Sequence, residues 1–184
     1  GVLPDCAPAI RFESVAFAYV PESPVLAGFD LSVESGEALA LTGASGSGKT
    51  TVLRLLLGQL RPSSGRILAG GRDLGELDLD LWREGIAWMS QHPRLMAASL
   101  ADNLRVARLD AHKDELLAAL EFAGLGEWFA GLPAGLDTVM GEGGRLMSGG
   151  QLRRLALARL RLRPGKLLVL DEPTASLDRA SEDL

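Results

Sequence analysis

The stretch Gly43-Ala44-Ser45-Gly46-Ser47-Gly48-Lys49-Thr50 constrains this chain more than any other. It reads G-x-x-x-x-G-K-T. Residues 37–42 ahead of it are short and apolar, which predicts a buried strand. Residues 51–57 behind it form a helix-favouring run that stops at Gly58, a natural C-terminal cap. Strand, glycine loop and helix together are the setting that a phosphate-binding loop needs. The glycines let successive N–H groups turn toward one anion, and the helix N-terminus adds its partial positive charge. Lys49 is then placed to reach outer phosphates, and the Thr50 hydroxyl to ligate Mg²⁺. The alternative, a glycine-rich turn with no ligand, leaves the agreement of all three elements unexplained.

Two stretches near the other end extend the pattern. Residues 167–170 (Leu-Leu-Val-Leu) are continuously apolar, as expected of a parallel strand buried on both faces, and they end in Asp171-Glu172. Carboxylates at the C-terminal end of such a strand lie where α/β folds bind ligands. Asp171 is placed to hold Mg²⁺ through water, and Glu172 to orient or deprotonate an attacking water. Met147-Ser148-Gly149-Gly150-Gln151 opens a further helix, with Leu152, Leu155, Ala156 and Leu160 at helical spacing. Ser148 and Gln151 form an S-x-x-Q capping box, which by itself makes only a capped helix. The paired glycines also strip side chains from the helix mouth, so that an anion can approach. One phosphate loop already serves one nucleotide; a second such helix end is most economically assigned to a nucleotide held by a partner.

Between these landmarks the sequence divides by texture. Residues 10–13, 15–19 and 29–33 alternate as antiparallel strands, with Pro21 and Pro24 breaking the pattern. Tyr19, at a strand end, either packs or stacks on a planar base; a lone aromatic there more often packs. Residues 66–69 and 86–90 read as strands, the latter ending at Gln91. Gln91 is either a polar strand end or a neutral ligand for Mg²⁺ or its water. From His92 to Met147, helices are expected over 100–106, 114–123 and 127–130, with Leu116, Leu117, Leu120 and Ala123 sharing one face. The expected organisation is a lead-in over residues 1–8, a nucleotide-binding core over 9–91 and 148–184, and a helical subdomain over 92–147.

Composition narrows the function classes. The 184 residues have room for one core with an inserted subdomain. A net charge of −5 argues against a nucleic-acid surface. The one cysteine, Cys6, cannot form an internal disulfide, which suits a reducing compartment. No apolar run reaches the length of about 18 residues needed for a transmembrane helix, and no signal-peptide pattern is present.

In combination and order, these motifs resemble the nucleotide-binding domain of ABC transporters over nearly the whole chain. Residues 43–50 match Walker A, Gln91 the Q-loop, Ser148-Gly149-Gly150-Gln151 the signature (with Met147 where leucine is usual) and residues 167–172 Walker B. Ala175-Ser176-Leu177-Asp178 resembles the D-loop, and Tyr19 then matches the aromatic that stacks on adenine. The resemblance implies an α/β P-loop NTPase core with an N-terminal antiparallel β-subdomain, an inserted α-helical subdomain and a truncated C-terminus. It implies ATP and Mg²⁺ as cofactors. ATP would be held by Tyr19, Gly43, Ala44, Ser45, Gly46, Ser47, Gly48, Lys49, Thr50 and Thr51, and the metal by Thr50, Gln91 and Asp171. Glu172, Lys49 and Gln91 would be catalytic; Ser148, Gly149, Gly150 and Gln151 would face the partner's ATP, and Asp178 would serve the D-loop. It further implies a homo- or heterodimer of such domains, joined to a membrane domain at the cytoplasmic face of the cell (inner) membrane.

Residues 90–95 with 99–104 are similar to the exporter Q-loop and its following helix, and residues 138–142 to the exporter X-loop, with Met140 as a departure. The wording around residues 86–88 and 94–100 resembles the D subunit of thiol-reductant exporters, which move cysteine or glutathione and support cytochrome bd assembly. The family's switch histidine lies beyond the D-loop, whereas the histidines here, His92 and His112, precede the signature. Gly1, Pro4, Pro8 and the helix-like close at Leu184 read as cuts from a longer chain, and the family's strand between Walker A and Walker B is expected to be missing with the histidine. The isolated chain is therefore expected to fold poorly and to hydrolyse ATP slowly or not at all. Two rival readings share the motifs. One is a soluble ABC-type ATPase of DNA repair or translation, against which the acidic balance and exporter-like loops weigh. The other is a regulatory subunit that binds ATP without turnover, against which Glu172 weighs.

Overall fold

The computed structural model describes residues 7–173. It comprises two compact units: Gly1–Ile86 with Gly165–Val169, and Ala87–Pro164 with Leu170–Leu184. Asp178, Cys6 and most of the lead-in over 1–8 lie outside the described residues.

The first unit is built on an antiparallel sheet. Strands β1 (Ile10–Val20) and β2 (Ser23–Val33) form a hairpin across the turn at Pro21-Glu22. With β3 (Ser64–Ala69) and β4 (Arg72–Asp73) they give the order β2-β1-β3-β4. The two strands expected over 10–13 and 15–19 are one strand with a bulge. Ile10, Phe12, Val15 and Phe17 are all buried, so the period of two slips by one residue between Phe12 and Val15. Ser14 makes the slip: it adopts a φ of 49°, and its N–H donates to Asp30 Oδ1 at 2.7 Å. Gly65 lies opposite with a φ of +77°, where a Cβ would collide with the Ser14 and Glu13 carbonyls. Pro24 does not interrupt β2, because β2 is the sheet's edge strand and can spare a donor.

Helix α1 (Lys49–Leu56) buries Thr51, Val52, Leu55 and Leu56 in this unit. As expected it ends at Gly58, whose φ is +64°, with Gln59 N–H closing on Arg54 O at 2.9 Å. A short helix that the sequence reading missed, α2 (Leu79–Glu84), is capped by the Asp78 side chain. It serves the end of α1 directly. Trp82 Nε1 donates to Leu56 O at 2.7 Å, and Arg83 donates to Leu57 O and Gly58 O, satisfying carbonyls that a helix end leaves open.

One expected element does not form. Residues 37–44 carry no strand, and Leu39 is 44% exposed. A strand exists through its ladder bonds, and the apolar run has no sheet partner among the described residues.

The second unit is helical. Helices α3 (Leu100–Arg105), α4 (Lys113–Phe122), α5 (Gly126–Ala130) and α6 (Gly149–Leu162) lie close to the expected spans. They enclose a core of Leu100, Leu104, Leu116, Leu120, Met140 and Leu155, among others. On α4 the buried stripe is Leu116, Ala119, Leu120 and Ala123; Leu117 is only half-buried, one position off the expected face. Strands β5 (Ile86–Met89) and β6 (Leu167–Leu170), which pair, do not belong to this unit alone: Ile86 and residues 167–169 belong to the first unit. Leu167 N–H donates to Gly85 O and Asp171 N–H to Met89 O, so the bonds advance the same way along both strands and the pair is parallel. The expectation that β6 is buried on both faces fails. Val169 is buried, but Leu168 is 59% exposed, because β5 is its only sheet neighbour among the described residues.

Candidate functional site

The glycine loop belongs to the first unit and has the backbone a phosphate cradle requires. Gly43, Gly46 and Gly48 have φ values of 155°, 80° and 92°. A Cβ at Gly43 would sit 2.9 Å from Ser47 Oγ, and one at Gly48 would sit 3.1 Å from Val25 Cγ1. A side chain is therefore strained by conformation at all three positions and crowded at Gly43 and Gly48. Residues 43–47, including Ala44, Ser45 and Ser47, are exposed. Gly48 caps α1 without a side-chain bond, so no side chain competes for the amides of its first turn. Lys49 Nζ donates to Gly43 O at 2.8 Å and Ala44 O at 2.9 Å, which holds the ammonium over the loop. Exposed amides, a helix N-terminus and an ammonium fit a polyphosphate.

At the end of β1, Tyr19 is 55% exposed and stands edge-on to Phe17, with ring centroids 4.9 Å apart. Its hydroxyl lies 3.3 Å from Thr51 Oγ1, on the third residue of α1. Tyr19 thus combines an exposed ring face with a fixed hydroxyl, a geometry suited to stacking.

The second unit holds Gln91, Asp171, Glu172 and the capped helix. Gln91 Nε2 donates to Glu172 Oε2 at 2.7 Å, joining two residues 81 positions apart. Glu172 has a φ of 51°, unusual for a non-glycine residue, and projects an exposed carboxylate just past the strand end. Asp171 is 6% exposed, with its N–H on Met89 O at 3.0 Å. In this unit an amide oxygen (Gln91) and a carboxylate (Asp171), and in the first unit a hydroxyl (Thr50), are each hard oxygen donors of the kind Mg²⁺ takes beside phosphates and water. At the start of α6 the capping box is present: Ser148 Oγ accepts from Gln151 N–H at 3.2 Å, and Gln151 Oε1 accepts from Ser148 N–H at 3.0 Å. A Cβ at Gly149 or Gly150 would meet nothing within 4 Å, so that helix mouth is open.

Two buried polar residues behind these groups escaped the sequence reading. Arg153, on α6, donates from Nη2 to Gln91 O at 3.3 Å. Asn103, fully buried on α3, binds the backbone at Met96, Ala98 and Ser99 and also receives Arg159. Periodicity held the signal for both: Arg153 precedes the buried Ala156 by three, and Asn103 follows the buried Leu100 by three, which puts each on a core face.

The ABC transporter family model matches residues 26–175. The chain is 44% identical over 183 residues to an ATP-dependent lipid A-core flippase of Chromobacterium violaceum, covering 99% of this chain and 31% of that protein. It is 38% identical over 182 residues to the mitochondrial iron-sulfur clusters transporter ATM1 of Saccharomyces cerevisiae, covering 98% of this chain and 26% of that protein. The structure of a bacterial Atm1-family ABC exporter with ATP bound matches with a TM-score of 0.91 at 33% identity, covering 100% of this chain and 32% of that one. The chain thus spans about a third or less of the length of these relatives. No described helix is long and apolar enough to cross a membrane.

Proposed function

The chain belongs to the ABC transporter family as its ATPase domain, and we propose that it powers an exporter by ATP-driven closure of a dimer of such domains. The observation that carries this reading is the Gln91 amide seated on the Glu172 carboxylate at 2.7 Å, at the end of an apolar strand. That pairing gives one carboxylate a directed neighbour that can report its state.

In this reading the roles divide among the residues. The amides from Gly43 to Thr50 and the Lys49 ammonium bind the phosphates of ATP, and the Tyr19 ring stacks on the base, braced by Thr51. Thr50, Gln91 and Asp171 hold Mg²⁺, which neutralises phosphate charge when bound. Glu172 orients the attacking water and takes its proton. Ser148, Gly149, Gly150 and Gln151 cap the nucleotide of a second such domain, through amides that no Cβ obstructs. Asp178 serves the D-loop in this reading. Residues 9–91 and 148–184 form the nucleotide-binding core and residues 92–147 the helical subdomain. A membrane domain of the same protein places the whole at the cytoplasmic face of the cell (inner) membrane.

Replacing Glu172 with glutamine tests this in the full-length transporter. The expected result is a fall of about 10²–10⁴-fold in ATP turnover with nucleotide binding retained. Turnover within threefold of the parent would remove Glu172 from the chemistry. For the cargo, the resemblance around residues 86–88 and 94–100 supports a thiol reductant, cysteine or glutathione. ATP-dependent uptake of labelled glutathione and cysteine into inverted vesicles tests it, with lipid transport as the competing outcome.

A further inference from the structure

Two arginines on α6 face the same segment and are used very differently. Arg159 engages all three of its nitrogens: Nε on Asn103 O at 2.7 Å, Nη1 on Arg94 O at 2.8 Å and Nη2 on Asn103 Oδ1 at 2.9 Å. It is a strut, fixing the segment after Gln91 to the helix. Arg153, six residues earlier, is 8% exposed and makes one long bond, from Nη2 to Gln91 O at 3.3 Å. Its Nη1 is buried without a partner among the described residues. A buried guanidinium nitrogen left unpaired costs stability, and native structures rarely keep one without a use.

The position of Arg153 supplies the use. It lies five residues past Ser148, one and a half turns down the helix whose mouth carries Gly149 and Gly150. Gln91 is held at both ends, its carbonyl by Arg153 and its amide on Glu172. Arg153, Gln91 and Glu172 therefore form one connected run within the second unit, starting from the signature helix. We propose that Arg153 is a positioning residue: it sets where the Gln91 backbone sits, and through Gln91 the orientation of Glu172, so that displacement of α6 is felt at the carboxylate. The single long bond makes it an adjustable joint, and the unpaired Nη1 is the donor that follows the Gln91 loop when it shifts.

This inference rests on the function proposed above, and the experiment separates the two. In the full-length transporter, ATP turnover is measured for the parent, Arg153→Met, Arg153→Lys, Gln91→Ala and Arg153→Met with Gln91→Ala. Methionine keeps most of the buried stem and removes the donors; lysine restores one donating nitrogen. We expect Arg153→Met to lower kcat about tenfold with KM for ATP within about twofold, and lysine to recover part of the loss. In the Gln91→Ala background, Arg153→Met should add nothing, because the joint then has no side chain to direct. The inference is overturned if folded Arg153→Met turns over ATP like the parent, or if its effect multiplies in full with that of Gln91→Ala. Should Arg153→Met fail to fold, Arg153→Lys decides: a lowered kcat at unchanged KM that Gln91→Ala masks supports the joint, and parental kinetics overturn it. A parent without ATP turnover overturns the functional reading and the inference together; an active parent with indifferent Arg153 variants overturns the inference alone.

Discussion

Replacing Asn103 with alanine should open the segment after Gln91 far more than its size implies. The side chain is fully buried. Its Nδ2 donates to Met96 O and Ser99 O at 3.0 Å and lies 3.3 Å from Ala98 O. Each of those carbonyls has a second partner: Met96 O accepts from Ala98 N–H, Ser99 O from Asn103 N–H and Ala98 O from Met140 N–H. Losing Nδ2 therefore orphans no acceptor. Losing Oδ1 orphans two donors, the Met96 N–H at 2.9 Å and Arg159 Nη2 at 2.9 Å. Both bonds are part-buried, and at about 1.5 kcal/mol per donor that loses its partner the local cost is about 3 kcal/mol. Hydrogen–deuterium exchange reads this locally in the intact protein. Amides over residues 96–104 should exchange about a hundredfold faster than in the parent, since 1.4 kcal/mol is a factor of ten. Amides of β1, in the other unit, should not change. Exchange over 96–104 within threefold of the parent would refute the reasoning, because the orphaned donors would then be finding water at no cost.

Three further outcomes follow from other parts of the molecule. Lys49→Ala should abolish the thermal stabilisation by Mg-ATP, which at 100 times the dissociation constant is about 2.7 kcal/mol; an undiminished shift would place the nucleotide elsewhere. Gly65→Ala should destabilise the first unit by about 1–3 kcal/mol, through a φ of +77° and a clash with the Ser14 carbonyl, read as faster exchange in β1 and β3; an unchanged exchange pattern would mean that the bulge relaxes freely. The Glu115 carboxyl is held below its ordinary range first by its hydrogen bond to Arg108, then by the His112 N–H, which it accepts at 2.8 Å. A lowered folded-state value stabilises α4 fully above the unfolded carboxylate range, near pH 4.3, and the benefit is lost as pH falls below that. Glu115→Gln should therefore reduce the acid dependence of α4 protection between about pH 5 and pH 3, and an unaltered profile would discount the pair.

Legibility in the sequence followed how local each determinant is. The glycine loop, the stop at Gly58 and the Ser148 capping box are set by neighbours within a few positions, and they appear as read. The bulge at Ser14 was visible only as a gap between two strands, because it is accommodated by residues distant in sequence, Asp30 and Gly65. The apolar residues 37–42 met every local criterion for a strand and still lack one, since pairing is decided by neighbours that a local pattern does not encode. Leu168 shows the same from the other side: a run of four apolar residues announces a strand, but its exposure depends on how many strands flank it. The pairing of Gln91 with Glu172 lay beyond any spacing rule; each by itself reads as a polar group at a strand end, and the fold supplied their bond.

The distribution of burial explains how such a site can be both reactive and exact in placement. The groups proposed above to meet nucleotide are open: the loop over 43–47, the Tyr19 ring, the Glu172 carboxylate and the mouth of α6. Open side chains at surface dielectric have little to hold them still. Their order is instead imposed from behind, by polar residues in the interior that grip backbone atoms: Trp82 on Leu56 O, Asn103 on Met96, Arg153 on Gln91 O and Arg159 on Asn103 O. A main-chain atom gripped this way cannot drift without breaking a bond in a partly or fully buried setting, where such a bond is costly to lose. Glu172 departs from this arrangement: its φ of 51° is a strained geometry for a side chain at the surface, costing about 1 kcal/mol or more. Glycine would take that backbone without cost, so the carboxylate there is kept at the expense of stability, as a functional group is.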